Sequence, residues 1–150
     1  MKTNFNSILY QKCKKKNNWL CLGLDIDPNN FNKGANDPVD FLEKFACDII
    51  DSTIDFIPIY KPNLAFFERY GYRGIKVLES IVKYIDGRSI VIADAKRGDI
   101  GNTCKYYASA ILDQMGCDAI TVSPYMGSDS ILPFSNIKSK GVFVLCLTSN

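Results

Sequence analysis

The chain has 150 residues, 47% of them hydrophobic and 23% charged, and a mean hydropathy near zero. This composition excludes a disordered or collagen-like chain, and the net charge of +2 gives no electrostatic case for nucleic acid. The longest apolar run near the end, 142–147, is far too short to cross a bilayer, and no apolar stretch follows the first lysines, so neither a membrane span nor a signal peptide is expected.

Taken in chain order, the cluster Lys12, Lys14, Lys15 and Lys16 is the one basic run, and it reads as a solvated face or turn. Residues 20–25 are short and apolar, and lead into Asp25, Asp27 and Pro28; they read as a buried strand entering a loop. Residues 38–53 carry Phe41, Leu42, Phe45, Ile49 and Ile50 at helical spacing, with Asp37 as N-cap and Pro38 in the first turn. A second strand is expected over 56–60, stopped by Lys61-Pro62-Asn63. A helix over 74–85 presents Ile75, Leu78, Ile81 and Val82 on one face, with Gly87 as its C-cap. A third strand follows over 89–93, then a helix over 102–115 closed by Gly116. A fourth strand is expected over 119–122, a short helix or loop over 128–134, and a fifth strand over 141–147.

Strands that are apolar throughout, alternating with amphipathic helices, specify an α/β fold with a parallel sheet covered by helices. Five such units fit either a doubly wound sheet or part of a (β/α)8 TIM barrel. A polar residue stands at the C-terminal end of each strand: Asp25, Lys61, Asp94, Ser123 and the pair Thr148-Ser149. That rim is where barrels place their active sites, and the absence of a Gly-rich loop after the first strand counts against a dinucleotide fold. A closed barrel needs about 250 residues. The expectation is therefore that residues 1–150 are the N-terminal portion of one barrel domain, supplying roughly its first five units, and that this portion alone is inactive.

The sequence has no histidine, which removes histidine triads, His-rich zinc sites and His general bases. Its six cysteines, Cys13, Cys21, Cys47, Cys104, Cys117 and Cys146, include no C-x-x-C pair and read as free thiols of a cytoplasmic protein. Cys104 and Cys117 are expected in the core, Tyr106 and Tyr107 as packing on a helix face, and Trp19 as packing at the bottom of the sheet. Chemistry is left to carboxylates, lysines, hydroxyls and thiols. The densest ionic stretch is 91–100, where an apolar strand runs straight into Asp94, Lys96, Arg97 and Asp99. Asp94 and Lys96 are two apart, so both point to the same side of a strand. With Lys61 they make two lysines and two aspartates that could form one network. Such a network keeps an ammonium charged and fixed, which suits a reaction that develops carbanion charge and then needs a proton.

The run Asp94-Ala95-Lys96-Arg97-Gly98-Asp99-Ile100-Gly101-Asn102-Thr103 resembles the signature of the orotidine 5′-phosphate decarboxylase family, in its branch with D-A-K-R-G-D-I-G-x-T. Leu22-Gly23-Leu24-Asp25, Lys61-Pro62-Asn63 with Phe66-Phe67-Glu68, the run 121–127 and Leu147-Thr148-Ser149-Asn150 resemble the same family's other segments, in the same order. The resemblance implies a metal-free and cofactor-free carboxy-lyase of pyrimidine biosynthesis that turns orotidine 5′-monophosphate into uridine 5′-monophosphate. In that reading Lys96 gives the proton to C6 of the pyrimidine, Asp94 lies beside the leaving carboxylate, and Lys61 holds the aspartates and meets the ribose. Asp99, Ile100 and Thr103 would reach the ligand of a partner subunit, making the active site a property of a homodimer. Asp25 and Asn63 would bind ribose hydroxyls, and Ser149 the pyrimidine edge. The residues by themselves leave other roles open: Asp25 as a loop cap, Asn63 as a turn residue, Thr103 as a helix N-cap. Two other functions share the pattern. Magnesium-dependent sugar-phosphate decarboxylases and aldolases of the same barrel group carry D-x-K-x-x-D, although the run 100–103 and Lys61-Pro62-Asn63 favour the orotidylate branch. A non-catalytic truncated half-barrel is the third reading.

Overall fold

The computed structural model describes residues 4–31 and 37–148. Asn4 caps the first helix, α1 (Phe5–Lys16), its side-chain oxygen accepting the Ser7 amide at 2.9 Å, and Asn17 ends it in the left-handed conformation at φ 48°. The sequence pattern does not predict this helix. Its apolar residues are sparse and its last turn holds Lys14, Lys15 and Lys16, which suit a helix C-terminus because exposed carbonyls there favour cations. The expected solvated face is therefore only half correct. Lys14 and Lys15 are exposed, but Lys16 reaches inward and donates to the carbonyls of Ile54 and Ile57 and to Ser89 Oγ.

The five strands are β1 (Cys21–Leu24), β2 (Ile59–Pro62), β3 (Ile90–Arg97), β4 (Ala119–Val122) and β5 (Gly141–Val144), all parallel and hydrogen-bonded in chain order. Between them lie α2 (Pro28–Phe31), α3 (Pro38–Thr53), α4 (Leu64–Glu68), α5 (Gly71–Ile85), α6 (Gly101–Ala108) and α7 (Leu132–Ser135). Sequential parallel order with helices between is the first part of a (β/α)8 barrel, not a doubly wound sheet, whose strand order reverses at a switch point.

Several boundaries differ from expectation for local reasons. Asp37 caps α3 as predicted, its Oδ1 accepting Val39 N–H at 2.8 Å. Strand β2 starts three residues late because Phe56 and Ile57 fold back onto the Thr53 carbonyl, and it runs through Pro62, which pairs with Leu24. Helix α5 ends on Asp86 at φ 45°, with Gly87 at φ 63° behind it, so the C-cap is the aspartate. Strand β3 extends four residues beyond Ala93, carrying Asp94 and Lys96 within the strand. Helix α6 stops at Ala108 and continues as one π-helical segment, Ser109–Gln114, before Gly116. The 3-10 turn Gly127–Ser130 and α7 fill the segment left open as helix or loop, and β5 ends three residues early.

The two faces of the sheet have separate cores. Tyr60, Val91, Ala93, Ala95, Ile120 and Val122 pack against the helices, with Leu42, Ile50, Leu78 and Ile81 among their neighbours. The alternate strand residues, Ile59, Ile90, Ile92 and Ala119, face inward and are covered by Phe5 and Cys13 of α1. Helix α1 thus plugs the base of the open barrel. Gly141 makes room for it, since a Cβ at that position would lie 2.4 Å from the Phe5 ring and the ring would have to shift. Two packing expectations fail. Trp19 is 64% exposed and rests on Tyr10 alone among aromatic rings, and Tyr106 is 71% exposed while Tyr107 packs on the helix-side core. The cysteines are all free, with Cys104 and Cys117 in the core as expected and Cys13 buried on the face of α1 that meets the sheet.

Candidate active site

The inward face of β3 reads Ile90, Ile92, Asp94, Lys96 from bottom to top, so an apolar base gives way to charge at the C-terminal rim. Lys61, on the neighbouring β2, completes the group. Its ammonium donates to Asp94 Oδ2 at 2.9 Å, and Lys96 Nζ donates to Asp94 Oδ1 at 2.6 Å. Asp94 is the hub: its side chain is 10% exposed, against 32% for Lys61 and 51% for Lys96. A third donor, Thr121 Oγ1 on β4, lies 3.0 Å from Asp94 Oδ1. Burial works against the charge of Asp94, but hydrogen bonds from Lys96, Lys61 and Thr121 outweigh it and hold the carboxyl below its ordinary range. Burial likewise works against the Lys61 ammonium, yet the hydrogen bond and charge of Asp94, with Asp25 further off, hold it above the ordinary lysine value. The group is an ion triad, with two lysine side chains on one carboxylate.

The backbone beneath these side chains is irregular. Ala93 pairs with Ile120 and Arg97 with Val122, so three residues of β3 oppose one of β4 and the strand bulges. Lys96 lies at the crest of that bulge with φ 47°, a conformation that side chains disfavour. Arg97 anchors the far side: it donates to the Ala95 carbonyl at 3.0 Å, pairs with Glu68 and lies over the Tyr107 ring. Its Nε is buried without a partner. Gly98 follows, where a Cβ would lie 2.7 Å from the Ser123 carbonyl, so only glycine lets this loop rest on β4.

The other expected residues are distributed around this triad. Asp25 is exposed just past β1, within electrostatic reach of Lys61. Asn63 bridges to Asp94 along the backbone, while its side chain caps α4 by accepting Ala65 N–H at 3.2 Å. Asp99 does not join the triad. Its Oδ1 accepts the amide of Ile100 at 2.7 Å instead. Ile100 is the N-cap of α6 and is 55% exposed, so Thr103 is not the cap but a residue of the first turn. Ser149 lies outside the described residues. The sequence reading assigns no role to Thr121, Arg97 or Glu68. The signal for Thr121 was a hydroxyl on the strand beside D-x-K, legible only once the register is known.

A triad of this kind at the rim of parallel strands fits the resemblance, and comparison with known proteins decides the family. Residues 18–150 match the model of the orotidine 5′-phosphate decarboxylase / HUMPS family. The chain belongs to that family. Orotidine 5′-phosphate decarboxylase from Dehalococcoides mccartyi is 49% identical over 142 residues, covering 95% of this chain and 51% of the relative. The enzyme of the same name from Bacteroides fragilis is 43% identical over 145 residues, covering 95% of this chain and 53% of the relative. Among solved structures, Leishmania donovani OMP decarboxylase superposes with a TM-score of 0.84 at 36% identity, over 99% of this chain and 55% of that one. Leishmania donovani UMP synthase gives 0.86 at 37% identity, over 99% of this chain and 31% of that one. The chain spans about half the length of the curated decarboxylases it matches.

Proposed function

We propose that this protein decarboxylates orotidine 5′-monophosphate to uridine 5′-monophosphate in the cytoplasm, using side chains alone, without a metal or organic cofactor. The observation that carries the reading is the Lys61–Asp94–Lys96 triad at the rim of a chain that belongs to this decarboxylase family. In the proposed step the bond from C6 to the carboxylate breaks, CO2 leaves and the electron pair stays on C6. The Lys96 ammonium is held beside that carbon by Asp94, so it stabilises the developing charge and then transfers its proton to C6. Asp94, kept ionised by its three donors, repels the substrate carboxylate more than the transition state that is losing it. Lys61 neutralises Asp94 from the other side and contacts the ribose, with Asp25 and Asn63 on the ribose hydroxyls and Ser149 on the pyrimidine edge.

A homodimer completes the reading. In one chain Asp99 is turned to its own neighbouring amide and Ile100 is exposed, so the triad has no second carboxylate. We assign Asp99, Ile100 and Thr103 to the ligand of the partner subunit, where Asp99 would approach Lys96 and extend the alternation of charge.

The test is orotidylate turnover by the full-length protein, followed by absorbance. Lys96→Ala should lower kcat/KM by at least about a thousandfold, with an unchanged far-UV spectrum. Retained activity removes the proton-donor assignment. EDTA should leave the rate unchanged; its loss, restored by magnesium, would move the protein to the sugar-phosphate enzymes of the same barrel group.

A further inference from the structure

We propose that Thr121 is a positioning residue of this site, its hydroxyl closing the β3 bulge and fixing Asp94 and Lys96 relative to each other. The catalytic consequence rests on the decarboxylase reading, whereas the geometry does not.

In a regular parallel ladder each strand residue meets one counterpart, and backbone donors go to backbone acceptors. Between the pairs Ala93–Ile120 and Arg97–Val122, the segment Asp94-Ala95-Lys96 faces Thr121 alone. The amide of Lys96 bonds instead to Thr121 Oγ1, at 2.9 Å. A hydroxyl carries one proton and two lone pairs. Having accepted from the Lys96 amide, Thr121 spends its proton on Asp94 Oδ1 at 3.0 Å. One atom therefore ties the backbone of the lysine to the side chain of the aspartate.

That tie matters because both groups need restraint. Lys96 sits at φ 47°, which a side-chain-bearing residue keeps only when its surroundings over-determine it. Asp94 Oδ1 also receives Lys96 Nζ, and Oδ2 receives Lys61 Nζ, so the Thr121 bond is the one contact to this carboxylate that carries no charge and no flexible stem. It sets the rotation of the carboxylate, and the carboxylate in turn aims the Lys96 ammonium. A valine of the same shape would leave the Lys96 amide unpartnered and the carboxylate free to turn.

Two measurements test this. The first is hydrogen exchange by NMR on this chain. In Thr121→Val the Lys96 amide should exchange roughly tenfold faster or more, with the Ile92 and Ile120 amides unchanged. Thr121→Ser, which keeps the hydroxyl, should restore the wild-type rate. Should Thr121→Val fail to fold, Thr121→Ala gives the same reading. Unchanged Lys96 exchange in the variants that lack the hydroxyl, or lost protection in Thr121→Ser, overturns the inference. The second is turnover in the full-length protein. Thr121→Val should lower kcat roughly ten- to a hundredfold with KM unchanged, and Thr121→Ser should recover it. A purely structural role would instead lower stability with kcat intact. If the wild type does not turn over orotidylate, the functional reading fails, and the exchange result still decides Thr121.

Discussion

At Asp94 three donors from three strands converge on one carboxylate: Lys61 of β2, Lys96 of β3 and Thr121 of β4. Because the folded state binds the Asp94 proton less tightly than the unfolded chain, the stability this group contributes is present above its ordinary value of about 3.9. It is lost as pH falls through the lower folded value. Lys61 is raised, so its contribution is complete below about 10.4 and fades as pH rises through the higher folded value. Asp94→Asn should remove the acid arm and leave two ammoniums facing an amide. We expect a loss of roughly 1–3 kcal/mol at neutral pH, below the figure for a fully buried pair because both lysines are partly solvated. Urea unfolding followed by circular dichroism between pH 6 and pH 3 checks both points. The wild type should lose stability towards pH 3 more steeply than Asp94→Asn, and equal slopes would contradict the assignment. The three ionic members of this site were legible in the sequence. A strand alternates its faces, so D-x-K must put both groups on one side, and Lys61 ends the neighbouring apolar run. Thr121 was not legible as a member, because its role depends on a bulge that skips two residues of register. The position of Asp99 was only half legible, since the glycine before it lets the chain turn the carboxylate away.

Among the elements, those with local punctuation were readable: Asp37-Pro38 opens α3, and β4 runs between Asp118 and Ser123 as its apolar run predicts. Elements stabilised by distant contacts were not. Helix α1 has few apolar residues, yet Phe5 and Cys13 close the inner face of three strands, and Lys16 crosses to the end of α3. There the ammonium meets the C-cap carbonyl of Ile54, the Ile57 carbonyl in the loop beyond, and Ser89 Oγ, which itself donates to Ile57 and belongs to a residue 1% exposed. A lysine in a basic run thus acts as a cap for a helix nearly forty residues away, and no sequence window contains both ends. Lys16→Met keeps the stem and removes the donors. It should cost about 1–3 kcal/mol, because the Ile54 and Ile57 carbonyls lose a shared charged partner. Lys15→Met, on the exposed side of the same turn, should be nearly neutral. Thermal unfolding of the two variants distinguishes a cap from a solvated charge, and similar losses in both would refute the cap.

On the scale of the whole molecule, five parallel strands in sequential order do not close. Among the described residues β1 pairs only with β2, and β5 only with β4. The β5 side carries exposed apolar surface: Phe143 is 41% and Val144 44% exposed, with Leu147 at 95% beyond them. An open strand edge with apolar side chains is a template for pairing with another chain. The rim offers a different surface, since Ile100 leads away from the triad on the loop that the dimer proposal uses. The two routes to association can be separated. At micromolar concentrations, where exposed edges drive association, the 150-residue chain should self-associate in sedimentation velocity. Val144→Lys places a charge on the open edge and should shift the distribution towards smaller species if edge pairing dominates. Ile100→Glu should do so if the rim dominates, because a charge would then be buried without a partner. We expect Val144→Lys to have the larger effect on this chain, since its β5 edge leaves backbone donors and acceptors open as well as side chains, whereas the rim loses only side-chain contacts. A chain that stays monomeric over the whole concentration range would refute the edge argument. A larger response to Ile100→Glu would show instead that the rim at the C-terminal ends of the strands is the stronger interface even with the barrel open.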